Sequence, residues 1–184
     1  MWTRPNSFET FVHFILEQQV SLASALAALE KLREKIGLIE PKRLLQLNDA
    51  ELRDCYFSRQ KIVYVKSLAK AIMEGQIDLN KMETLSDEIV REKLIALKGI
   101  GNWTIDVYLM FVLRHTDIFP VGDLAVRNAM IAVKSLAKDT SKEKLLDIAE
   151  IWKPYRTVAA MILWHSYLQT RAAKPGNKNI SEPV

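Results

Sequence analysis

The chain has 184 residues, 49% of them hydrophobic, which is enough to bury a sizeable core as one domain or two closely packed lobes. Its 26 basic and 22 acidic residues leave a formal net charge of +4 that is not gathered into a run, so a polyanionic partner is permitted but not demanded. One cysteine, Cys55, and three scattered histidines exclude an internal disulfide, a four-cysteine iron–sulfur cluster and a Cys-rich zinc site.

No apolar run is long enough to span a bilayer, and Met1-Trp2-Thr3-Arg4-Pro5 lacks the apolar core of a signal peptide. The expected location is the cytoplasm, with the nucleoid in a prokaryote. Nearly every segment carries apolar residues at helical spacing. Asn6 with Glu9 predicts a capping box opening a first helix, whose stripe is Phe8, Phe11, Val12 and Ile15. Gln18-Gln19 interrupts the apolar pattern. Ser21 then caps a helix carrying Leu22, Ala25, Leu26, Leu29 and Leu32 and stopping near Gly37. Pro41 suits the first turn of a short helix over 42–47, and Asn48 caps another. Ser58 opens a longer helix with Ile62, Val65, Leu68, Ala69 and Ile72 inside and Gly75 at its end.

Ser86 caps a further helix, with Asp87 and Glu88 at its positive dipole end, running to Leu97-Lys98 and closed by Gly99. The next starts at Asn102-Trp103 and runs to Arg114. A loop from Thr116 to Gly122 contains Pro120, and Asp123 caps a helix reaching Leu136. Thr140 with Glu143 predicts a second capping box. Pro154 at a first turn starts the last long helix, which runs through Thr170. No strand pattern, repeat or low-complexity tract interrupts the series. The fold class is all-α, with a single domain over 1–171 and a flexible tail over 172–184.

The segment Leu97-Lys98-Gly99-Ile100-Gly101-Asn102-Trp103-Thr104 is the most informative. Two amphipathic helices meet through Gly-Ile-Gly. The glycines permit positive φ and close approach of the backbone to another molecule. A helix starting directly after Gly101 presents N–H groups that suit a DNA phosphate, and Ile100 can hold the turn closed. Taken alone, the segment reads more readily as a Gly-terminated helix followed by a tight αα turn.

Followed by Ile118-Phe119-Pro120-Val121-Gly122-Asp123-Leu124-Ala125-Val126-Arg127, that hairpin resembles the helix-hairpin-helix, Gly/Pro-rich loop and Asp signature of DNA glycosylases. The stretch Ile15-Leu16-Glu17-Gln18-Gln19-Val20-Ser21-Leu22-Ala23, and Trp152-Lys153-Pro154-Tyr155-Arg156 with Trp164, are similar to the 3-methyladenine DNA glycosylase II branch. The resemblance spans residues 8–170. It implies two helical lobes with a DNA-binding cleft between them, a flipped nucleotide, and a catalytic Asp. No counterpart of the N-terminal β-rich domain of longer members is expected, since helix patterns begin by residue 8.

An enzyme acting on a base must lift it from the stack, receive it on something flat and assist its departure with negative charge. Asp123 can stabilise the cation that develops on the sugar and orient water, and it can equally serve as an N-cap. The resemblance places Trp103, Trp164, Gln18, Val107 and Leu22 at the base pocket. An indole face attracts a cationic, N-alkylated purine. Trp103 stands where lyase-type relatives carry a Schiff-base Lys, so the expected enzyme is monofunctional.

Gln19 falls at the position of the residue that wedges into the gap left by the flipped base, where the best-known branch has Leu. Val107 replaces an aromatic, and Trp2 or Phe11 is the candidate to close the pocket instead. The DNA-contacting set is Gln19, Gly99, Ile100, Gly101, Asn102, Thr104 and Arg127, the last suited to a carboxylate, a phosphate or a solvated helix face.

The expected partner is double-stranded DNA containing damaged bases, bound by a monomer. No cofactor is expected, and a monovalent cation at the hairpin carbonyls stays open. The alternatives are a non-catalytic hairpin DNA-binding module, a glycosylase for deaminated or oxidised bases, and a helical interaction domain.

Overall fold

Eleven α-helices and one 3-10 turn make up the regular structure of residues 3–172, the part that the computed structural model describes. In order they are α1 (Phe8–Glu17), α2 (Leu22–Ile36), α3 (Pro41–Gln46), α4 (Asp49–Asp54), α5 (Arg59–Met73), α6 (Leu79–Met82), α7 (Asp87–Ile95), α8 (Asn102–Phe111), α9 (Leu124–Val133) and α10 (Lys142–Ala149). A 3-10 turn (Glu150–Trp152) and α11 (Arg156–Ala172) follow. No strand occurs among the described residues, so the fold is all-α as expected. The expected tail lies outside the described residues, apart from Ala172 at the end of α11.

Cap chemistry sets most helix starts. The hydroxyls of Ser21 and Ser58 accept from the N–H groups of Ser24 and Lys61, and Asn48 forms a full capping box with Glu51. Two caps differ from expectation by one residue. Ser7, not Asn6, caps α1 by accepting from Thr10 N at 3.2 Å, while the Asn6 amide donates to Leu79 O at 2.8 Å. Ser141, not Thr140, caps α10, because the Thr140 hydroxyl donates back to Ala137 O at 2.6 Å.

Several ends also differ. Helix α7 stops at Ile95 rather than Leu97-Lys98, and Leu97 N turns back to Leu94 O at 3.0 Å in a tighter turn. Helix α8 stops at Phe111 rather than Arg114, whose φ of 61° breaks the helix. Helix α9 stops at Val133 rather than Leu136, past the left-handed Ser135 (φ 52°). Helix α11 opens at Arg156, with Pro154 in the turn before it after a cis peptide bond.

The chain divides into two compact units. The first holds residues 4–105, and the second holds Asp106 onward together with Thr3. The boundary falls within α8. In the first unit α1 packs on α2 and α5, and α5 also carries α3 and α4. Its core includes Phe11, Val12, Ile15, Leu16, Leu29, Leu32, Val65 and Leu68, each at most 2% exposed. Phe11 and Phe14 meet edge to face, with ring centroids 6.2 Å apart. Each such side chain contributes about 1.5–3 kcal/mol of burial free energy. In the second unit α9 packs on α11, and the 3-10 turn joins α10 to α11. Leu109, Met110, Val126, Met130, Leu145 and Ala160 form its interior, none of them detectably exposed. No helix among the described residues is long and apolar enough to cross a membrane.

Candidate active site

The hairpin in the first unit is built around two unlike glycines. Gly99 has φ +88°, in the region that disfavours every L side chain, and the Tyr64 ring of α5 lies against its bare Cα. A Cβ there would stand 2.0 Å from Tyr64 Cγ. Gly101 has ordinary φ, and a Cβ would meet nothing within 4 Å. Its carbonyl accepts from Ile105 N at 3.1 Å, which puts it in the cap position of α8. Ile100 is 3% exposed and Leu97 O accepts its N–H at 3.1 Å, so the residue seals the turn from inside. Asn102 is exposed.

The turn after α1 is fastened to this hairpin. Gln18 Nε2 donates to Gly99 O at 2.9 Å and to Thr104 Oγ1 at 3.1 Å. The side chain expected at the base pocket therefore commits both amide hydrogens to the hairpin. Thr104, expected among the DNA contacts, is 1% exposed, so its hydroxyl faces Gln18 rather than the surface. Lys61 of α5 supports the same turn from another side. Its Nζ donates to Leu16 O at 2.6 Å, a cation at the negative end of α1, and burial lowers its pKa. Arg4 holds the last residue of α1, Glu17, through two bonds of 3.1 and 2.7 Å. The next residue, Gln19, is exposed and left-handed (φ 60°). Leu22 opens α2 and is 37% exposed. Phe11 has no exposed surface, which removes it as a pocket-closing residue, and Trp2 lies outside the described residues.

In the second unit Asp123 caps α9. Its Oδ1 accepts from Val126 N at 2.9 Å and the residue is 8% exposed. The cap and the preceding bond from Asp123 N to Pro120 O (2.8 Å) fix the carboxylate's position at the end of the Gly/Pro loop. Arg127 follows one turn later. It is half buried, and its Nε is a buried donor with no hydrogen-bond partner, which sets aside a fully solvated helix face. Trp164 is half buried and stacks on Phe111, centroids 5.3 Å apart and planes at 25°. Trp103, in the first unit, is also half buried. Val107 is 2% exposed and is part of the interior.

A hairpin, a proline-bearing loop and a buried capping Asp thus occur in one all-helical chain. The family model for the HhH-GPD superfamily base excision DNA repair protein matches residues 12–154. The chain belongs to the HhH-GPD superfamily. Within it the chain falls in the DNA-3-methyladenine glycosylase family. It is 31% identical to DNA-3-methyladenine glycosylase 1 of Schizosaccharomyces pombe, over 91% of this chain and 75% of that protein. It is also 31% identical to the Bacillus subtilis protein YfjP, named for the same activity, over 83% of this chain but only 56% of the relative. The solved S. pombe 3-methyladenine DNA glycosylase in complex with abasic DNA superposes with a TM-score of 0.80 at 32% identity, covering 85% of this chain and 78% of that one.

Four residues that shape the site carried no signal in the sequence: Lys61, Tyr64, Asp117 and Thr157. The last two are bonded at the start of α11, where Arg156 clamps Asp117 and Thr157 holds the segment 115–118. No cluster of three or more His, Cys, Asp and Glu side chains that could hold a metal occurs among the described residues.

Proposed function

We propose that this chain is a monofunctional DNA glycosylase that hydrolyses the N-glycosidic bond of alkylated purines, of the 3-methyladenine or 7-methylguanine type, in double-stranded DNA at the start of base excision repair. The observation that carries the reading is Asp123: a buried carboxylate, capped into place at the end of the family's loop, in a chain 31% identical to a named 3-methyladenine glycosylase.

The damaged nucleotide leaves the stack, and Gln19 fills the gap and bonds the orphaned base. The hairpin around Gly101 grips a backbone phosphate through the first turn of α8. Trp103 and Trp164 offer indole faces, which favour a base carrying positive charge over a neutral one. As the bond between C1′ and the base nitrogen breaks, its electron pair leaves with the base and positive charge collects on the sugar. The Asp123 carboxylate stabilises that charge and orients a water whose oxygen bonds to C1′. The water's proton passes to the carboxylate or the departing base. Trp103 has no amine, so no Schiff base forms and the strand stays intact. Arg127 supplies a donor for a DNA phosphate. No cofactor enters the chemistry, and the working form is a cytoplasmic monomer.

The test compares wild type with Asp123→Asn on methylated duplex DNA. Asn keeps an oxygen for Val126 N, so the cap and the fold persist. Wild type should release alkylpurines while the variant binds DNA but releases none. A wild type that binds DNA and releases no base, across a panel that includes deaminated and oxidised lesions, would leave a non-catalytic hairpin module as the better reading.

A further inference from the structure

Five residues before Asp123, the chain is bonded to the start of α11 by one buried side chain. Thr157 is 3% exposed. Its hydroxyl donates to His115 O at 2.7 Å, with Ile118 O at 3.3 Å, and accepts from Ile118 N at 3.0 Å. Its backbone N–H donates to Thr116 O at 2.9 Å. Beside it, Arg156 pairs with Asp117 through Nε and Nη2 at 2.7 and 3.0 Å, and Nη2 also reaches Asp117 O at 3.1 Å.

From Ile118 the restraint runs on without a gap. Ile118, Phe119 and Pro120 are buried. The Phe119 ring lies 5.8 Å from that of Trp152. Val121 N donates to Phe119 O at 2.9 Å, Asp123 N to Pro120 O at 2.8 Å, and Val126 N to Asp123 Oδ1 at 2.9 Å. Each segment from α11 to the carboxylate is held by a bond or a buried ring.

We propose that Thr157 is a positioning residue for the Asp123 carboxylate, acting through the 115–122 loop. The inference rests on the glycosylase reading above. The Arg156–Asp117 pair is the lesser fastener: Asp117 is 34% exposed, and water competes for its oxygens. The Arg156 guanidinium holds the Asp117 carboxyl below its ordinary value, so the pair stays charged across the neutral range and adds no pH dependence there. Thr157 has no such competitor. Replacing its hydroxyl by a methyl takes the partner from Ile118 N at a buried position, and the segment must move to regain one.

The experiment compares Thr157→Val with Thr157→Ser, measuring the single-turnover rate of alkylpurine release and, separately, affinity for the same duplex. The rate should fall by about 10- to 100-fold in the Val variant, the cost of displacing a reacting group by a fraction of an ångström to an ångström. Affinity should stay within about twofold, since the hairpin is untouched. Serine keeps the hydroxyl and should restore most of the rate. Leu145→Ala, which empties a core site in α10, serves as a control of lowered stability and should keep its rate per folded molecule. A Val variant as fast as wild type, a Ser variant as slow as Val, or a Leu145→Ala variant slowed equally would overturn the inference alone. A wild type that releases no base overturns the glycosylase reading and this inference with it.

Discussion

Replacing Gly99 and Gly101 in turn by alanine separates what the hairpin needs to fold from what it needs to bind. At Gly99 two costs add. An L side chain at φ +88° costs about 1–2 kcal/mol of backbone strain. The new Cβ would also stand 2.0 Å from Tyr64 Cγ, so a ring must retreat by more than an ångström, an overpacking cost of about 1–3 kcal/mol. Cγ is the ring's attachment point, so turning the ring about its own axis does not relieve the contact. The expected loss is about 2–5 kcal/mol, a large part of the roughly 5–15 kcal/mol that holds a domain folded.

Gly101→Ala meets neither obstacle and should cost under about 1 kcal/mol. Its Cβ would instead project from the open mouth of α8 and hold a phosphate off, weakening DNA binding by about tenfold, or ~1.4 kcal/mol. Urea unfolding gives the stabilities, and titration of a labelled duplex at fixed salt gives the affinities. If Gly99→Ala unfolds no more readily than Gly101→Ala, the packing of Tyr64 is not what fixes the turn. If Gly101→Ala binds DNA like wild type, the phosphate is not held there.

Two further outcomes follow from buried polar groups. Gln18→Ala should lower stability by about 1–3 kcal/mol, since it removes two hydrogen bonds and leaves the Gly99 carbonyl unpaired by a side chain, and thermal unfolding checks this. A loss under about 0.5 kcal/mol would mean the amide contributes nothing net. His13 is held below its ordinary pKa of 6.5 by burial, against the opposing pull of Glu17. Below pH 6.5 the unfolded chain takes up a proton that the folded chain resists, so stability should fall as pH drops from 6.5 to the lowered value and then level off. Unfolding of His13→Gln across that window should show a shallower decline than wild type, and parallel curves would place the dependence elsewhere.

Much of the helical framework was readable because its determinants are local. A Ser, Asn or Asp before an apolar run caps through bonds that span two or three residues, and Ser21, Asn48, Ser58 and Asp123 do so where expected. The misplaced starts arose where two polar residues stood side by side and another bond took one of them: the distant Leu79 O took Asn6, and the neighbouring Ala137 O took Thr140. The early stops of α8 and α9 come from left-handed Arg114 and Ser135, residues whose types give no warning of positive φ. The site divides in the same way. Hairpin and Asp123 lie in contiguous motifs. The bond from Gln18 to Gly99 spans 81 positions and that from Thr157 to Ile118 spans 39, and separations of that size leave no periodic trace.

The two adjacent glutamines show what a single turn imposes on later change. Gln18 and Gln19 have the same side chain, yet one is tied to the hairpin and the other stands exposed. Position 19 can therefore drift or be redesigned, to leucine, histidine or asparagine, at a cost in stability limited to its own left-handed backbone. Position 18 changes only with loss of the bonds to Gly99 O and Thr104 Oγ1. A library built to alter how the protein probes the duplex should randomise the second glutamine and leave the first alone.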